Sequence, residues 1–262
     1  MSLFAKELRD LRYRLIVLGV LILAMGIFIL GSYEIFINSV DINQFTAAVN
    51  NSTISKYMDP ELLTQQIMEI INNIDLYVWS QWFGKNFMQL MLLSSIVIGF
   101  SAFARETEHS TFSFLLTNFK RSQVFLTKVG AGILSMTILV ALGCLLPAVL
   151  AAFKSFDFSL ILSFKYFMQI LPAALLCYAI IIFFSVLNKD VVKPIIYGVI
   201  TFTLLSVLKQ IKYFNGIYFY RYLAAADVFT NGQINLLAFL IVSIIALLTF
   251  FAAYKIYQEK NF

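Results

Sequence analysis

Charge is scarce in this chain: Asp, Glu, Lys and Arg make up 13% of its 262 residues, against roughly 25% in an ordinary soluble domain. A surface facing water cannot be covered with so few charges. With a mean hydropathy of +0.86, the chain reads as an integral membrane protein. Cysteine is nearly absent too. Cys144 and Cys177 both fall within apolar runs, which excludes a disulfide framework and a thiolate metal site. The single histidine, His109, lies in a polar segment and has no companion with which to make a metal or acid–base site. No G-x-x-x-x-G-K-[ST] phosphate loop, G-x-S-x-G elbow or H-E-x-x-H pair occurs. These absences exclude the corresponding nucleotide, acyl-transfer and zinc-hydrolase chemistries, so the chain reads as a non-enzyme without its own cofactor. The interiors of the apolar runs lack Asp, Glu, Lys, Arg and His, the residues from which ion-coupled transporters build their relays. Any energy input must therefore come from outside the bilayer.

What is present is apolar sequence in six runs: 15–33, 87–104, 129–153, 166–187, 194–208 and 236–254. Most are close to the twenty residues that cross a bilayer. The expected fold is an all-α integral membrane protein with six transmembrane helices. The first run is too long for a signal peptide and lacks a small-residue cleavage site. Ahead of it, residues 1–14 place Phe4, Leu8 and Leu11 on one face and Lys6, Arg9 and Asp10 away from it. That pattern predicts an amphipathic interfacial helix. Residues 34–81 form a long acidic loop, expected outside the membrane. Within it Asp59-Pro60-Glu61 is a helix start, followed by a stripe of Leu63, Ile67, Ile70, Ile71 and Ile74. Tyr77, Trp79, Trp82 and Phe83 then read as an interfacial aromatic belt. In the third run Gly130, Gly132 and Gly143 permit close helix contact, and Pro147 predicts a kink.

The net charge of +5 is a topology signal and not a nucleic-acid footprint, because the cations stand at the ends of the apolar runs. With both termini inside, the inner segments hold 12 cations and 6 acids, a balance of +6, and the outer segments hold 7 cations and 8 acids, a balance of −1. The longest inner segment, 105–128, carries its own pattern. Phe112, Leu115, Leu116 and Phe119 fall at i, i+3, i+4 and i+7 on one face of a short helix. Glu106, Glu108 and His109 precede that helix, and Lys120, Arg121 and Lys128 follow it, which suits the helix dipole. On pattern alone it is either an interfacial helix that fixes topology or a docking element for a soluble partner.

Arg105, Glu106, Glu108, Thr111, the Leu115-Leu116 pair, Arg121 and Lys128 together resemble the permease subunit of exporter-class (type 2) ATP-binding-cassette transporters. Ser110 stands where that family often has Gly, and the Pro usual after the Leu pair is missing from Asn118-Phe119. Residues 222–229 (YLAAADVF), Asn231-Gly232 and residues 253–260 (AYKIYQEK) extend the resemblance toward the end of the chain. It implies that residues 209–235 form an outer helical hairpin. It also implies that Arg105, Glu106, Glu108, Thr111, Phe112, Leu115, Leu116 and Phe119 contact two cytoplasmic ATPase subunits, which would hold the ATP and Mg. A second permease copy or a homologous permease would complete the transporter, surrounded by membrane lipids and with no nucleic acid partner. The function so implied is export of an amphipathic, peptide or lipid-like substrate across a cell membrane, the bacterial plasma membrane by resemblance. The alternative is an ATPase-coupled signalling protein that acts through the 34–81 loop without transporting anything.

Overall fold

The computed structural model describes residues 3–33, 35, 65, 68–69, 73–108, 117–154, 156–208 and 219–260. The described residues are helical, with no strand among them. Five helices are long and apolar enough to cross a membrane: α1 (Leu3–Gly31), α2 (Ile74–Glu108), α3 (Arg121–Ala151), α4 (Leu160–Leu187) and, last in the chain, α8 (Leu236–Glu259). Between the fourth and the last come α5 (Val192–Leu208), apolar but shorter, and two short helices, α6 (Phe219–Leu223) and α7 (Ala226–Asn231).

The sequence pattern places an interfacial helix at 1–14, separate from the first span. Instead α1 runs unbroken from Leu3 to Gly31. Between Arg9 and Leu18 there is no Gly or Pro to break the backbone ladder, and the polar N-terminal turns are held against α2 and α3. The apolar stripe at residues 63–71 and most of the 34–81 loop lie outside the described residues.

The hub of the bundle is α4. It packs against α8, α3, α2 and α5, and 67% of its most apolar window is buried, against 11% for α8. Close approach is won with glycine. A Cβ on Gly132 would sit 1.9 Å from the Tyr178 hydroxyl oxygen of α4, and one on Gly143 would sit 1.8 Å from the Phe87 ring of α2. No larger residue fits either place without moving a buried ring.

The aromatic belt expected at the membrane surface is in large part core. Residues Val78–Phe87 of α2 are wound as a π-helix. Because a π-turn closes over i→i+5, Val78, Trp82, Phe83 and Phe87 fall on one face, and all four are fully buried. The Trp82 indole N–H donates to the Gly143 carbonyl at 2.9 Å, and Phe83 stacks on Tyr166 of α4 with centroids 3.9 Å apart. Trp79 reaches in another direction, donating to the Ala224 carbonyl at 3.0 Å and stacking on Phe229.

Candidate functional site: the polar end of the bundle

The chemistry of this protein gathers where α1 begins, α2 ends and α3 begins. Lys128, in the third turn of α3, is buried with its ammonium between two carboxylates. It donates to Glu106 of α2 at 2.8 Å and to Glu7 of α1 at 3.1 Å. The side chains are 6%, 14% and 10% exposed, in the order Lys128, Glu106, Glu7. A lone charge at such depth is costly; here one cation answers two anions and ties three helices together.

Glu106 is aimed into this triad by a break in α2. The helical ladder is interrupted at residues 100–103, between Gly99 and Ala104. The backbone groups freed there are met by one side chain from α4. The Ser185 hydroxyl donates to the Phe100 carbonyl at 3.0 Å and accepts from the Phe103 and Ala104 N–H groups at 3.1 and 3.2 Å. Arg14 of α1 secures the same turn, donating to the Val97 carbonyl at 3.0 Å and to the Ser101 hydroxyl, with its guanidinium 4.7 Å from the Phe100 ring centroid. Below the break, Phe103 packs on Phe125 of α3 and Tyr257 of α8, at 5.3 and 5.1 Å between centroids.

The remaining helix ends are tied to the same place. Glu108 accepts a hydrogen bond from the Val191 N–H, in the turn between α4 and α5, at 3.1 Å. Arg121, the first residue of α3, donates to the carbonyls of Gln258 and Lys260 at the end of α8, at 2.7 and 2.9 Å. The Lys260 ammonium caps the C-terminal end of α4 through the Val186 carbonyl. Burial, followed by the charge of Lys189, lowers its pKa from the ordinary lysine value.

The eight expected partner-contact residues are thus distributed unevenly. Arg105 is exposed at the rim of a cleft, Glu108 is exposed but engaged by Val191, and Phe119 is exposed. Glu106 points into the bundle, toward Lys128. Thr111, Phe112, Leu115 and Leu116 lie outside the described residues, as does His109. Sequence reasoning missed Ser185, one serine among many in apolar runs, and Glu7. The latter did leave a signal: it falls between Phe4, Leu8 and Leu11, an acid inside the apolar stripe of the N-terminal helix.

At the opposite end, Trp79, Ser80, Gly84 and Met88 of α2, Leu205 of α5 and residues of α6 and α7 line a second cleft of about 570 Å³. Ala225 turns the chain between α6 and α7 in the left-handed conformation, at φ 49°. Lys165 fastens this end by donating to the Gly232 carbonyl at 2.7 Å.

Among the described residues no cluster of His, Cys, Asp and Glu is arranged to hold a metal ion. No curated protein and no solved structure matches the chain. A family model described as ABC-2 family transporter protein matches residues 1–224, from just ahead of α1 to just past α6. The chain belongs to the ABC-2 transporter family: it is a multi-pass permease component of a transporter whose kind works, in general, with an ATP-binding-cassette partner.

Proposed function

We propose that this chain is the permease subunit of an ATP-driven exporter, with six spans and both termini in the cytoplasm. In this reading α5 is a span as well, the fifth of the six in chain order. Its 17 residues give about 26 Å of helix, a few ångströms short of a typical hydrocarbon core of roughly 30 Å, a mismatch that local thinning accommodates. Two cytoplasmic ATPase subunits bind ATP and Mg and dock on the segment that contains Arg105, Glu108, Thr111, Phe112, Leu115, Leu116 and Phe119. A second permease copy faces this one, and an amphipathic, peptide or lipid-like substrate passes between them.

The observation that carries this reading is how the ends of the 105–120 segment are anchored. On one side Glu106 is tied through Lys128 to α1 and α3, and Glu108 is tied to the turn that joins α4 and α5. On the other, Arg121 is tied to the end of α8. A displacement applied to this segment would reach the ends of all six helices through hydrogen-bonded and ion-paired contacts. Glu106 accordingly acts as a positioning residue, transmitting motion through Lys128.

The test is copurification. The full-length tagged chain, extracted from its native membrane in mild detergent, should bring down a stoichiometric partner that hydrolyses ATP, since the chain has no phosphate loop of its own. A chain that purifies free of any ATPase overturns the proposal.

A further inference from the structure

A cleft of about 640 Å³ opens beside the Glu7–Lys128–Glu106 triad, between the N-terminal turns of α1 and the end of α2. Arg9, Arg12, Arg14 and Arg105 line it. The acids in the lining are Glu7, Glu106 and Asp10. The first two are committed to Lys128, which leaves Asp10 as the acid facing Arg9, Arg12 and Arg105, with the half-buried Arg14 already holding the α2 turn. Arg14 of α1 and Arg105 of α2 face the cleft from its two sides. Arg9, Arg12 and Arg105 are exposed, and Arg12 is already steadied by Tyr13, whose hydroxyl accepts its N–H at 3.1 Å. An anion in the cleft would be met by several planar donors and would relieve their mutual repulsion, the geometry in which arginine is matched to phosphate.

The walls indicate what kind of anion. Leu11 and Ile98 form an apolar side of the cleft. Beyond the lining residue Tyr13, α1 displays Ile16, Val17 and Val20, exposed by 52%, 65% and 60%. A charged cleft that continues into an apolar strip on a membrane-spanning helix fits an amphiphile lying parallel to that helix. We propose that the cleft binds the phosphate headgroup of an anionic phospholipid, with an acyl chain running along α1. The proposal does not rest on the exporter reading, nor on which side of the membrane this end faces.

Native mass spectrometry of the full-length protein, exchanged into equimolar phosphatidylglycerol and phosphatidylcholine, tests it. Retention of one phosphatidylglycerol, at least tenfold over phosphatidylcholine, is expected. Each basic residue near an anionic lipid surface is worth roughly fivefold in binding, so Arg9→Gln with Arg12→Gln should lower the preference about tenfold or more. Both residues are exposed, and Arg105→Gln alone provides a second variant if the pair fails to fold. Lys255→Gln, a cation on α8 beside Phe251, should leave the preference intact. In a parallel arm, millimolar inorganic phosphate or glycerol 3-phosphate should not displace the lipid. Displacement by either would assign the cleft to a soluble phosphate and overturn the lipid proposal. Equal retention of the two lipids, or a preference that survives loss of the arginines, would overturn it as well.

Discussion

Lys128 is the residue on which the polar end turns. Replacing it with Met leaves Glu7 and Glu106 buried side by side with no cation between them. Breaking a buried ion pair on one side costs roughly 3–5 kcal/mol, so Lys128→Met should melt well below the parent when unfolding in detergent is followed by size-exclusion recovery. Adding Glu7→Gln and Glu106→Gln removes both carboxylate charges and should restore most of the loss. A single mutant as stable as the parent, or a triple mutant no better than the single, would mean that the triad does not hold these helices together. From sequence, Lys128 reads as a cation that closes an inner segment, and Glu106 as a surface group awaiting a partner. Neither reading foresees their meeting, because the pairing is made across helices 22 residues apart in the chain, and Glu7 joins from 121 residues away. Helix periodicity describes one element at a time and carries no information about such distances.

At the scale of the element, α2 departs furthest from an ideal helix. A π-wound stretch near its start turns Trp82, Phe83 and Phe87 inward together, and a broken turn at residues 100–103 re-aims its last residues. Both features escape a reading based on a period of 3.6. The π-register changes which residues share a face, so ring-bearing residues that read as an interfacial belt are largely packed in the core. The break is sustained by Ser185, and its removal gives the prediction for this scale. Ser185→Ala leaves the Phe103 and Ala104 N–H groups buried without an acceptor, at about 1–3 kcal/mol, and frees the turn that aims Glu106. Amide hydrogen exchange should rise at residues 103–106 while the middle of α3 stays protected. Unchanged exchange at these amides would show that the turn does not depend on Ser185. By contrast the apolar runs themselves were plainly legible. Five of the six expected spans correspond to long apolar helices, with boundaries extended by polar turns at their ends. Those turns are helical because tertiary contacts hold them, notably Glu7 in α1 and Lys128 in α3.

For the whole molecule, the five long helices and the family match agree on a multi-pass transporter component. The orientation proposed for it follows from where the cations stand, and a thiol-labelling experiment checks that. Native Cys144 and Cys177 are both buried, so background labelling should be low. A cysteine at Asn73, exposed just ahead of α2, should react with a membrane-impermeant reagent added to whole cells, and one at exposed Lys120 should react only after the membrane is opened. The reverse pattern would invert the molecule and place the polar end outside, where no cytoplasmic ATPase could reach it.

The central claim is that the segment from the end of α2 to the start of α3 is where an ATPase takes hold, and paired variants of that segment test it most directly. Phe112→Ala with Leu115→Ala removes two apolar anchors of the expected docking face, and truncations of interface anchors cost about 2 kcal/mol or more each when they are hot spots. At about 1.4 kcal/mol per tenfold, even one such loss should lower copurifying ATP hydrolysis at least tenfold. Glu108→Lys should weaken the same association through charge, and more strongly at low salt. Neither variant alters an apolar run, so membrane insertion and expression should match the parent. Parental levels of copurified ATPase in both variants would contradict the claim and leave the segment a connector between two spans.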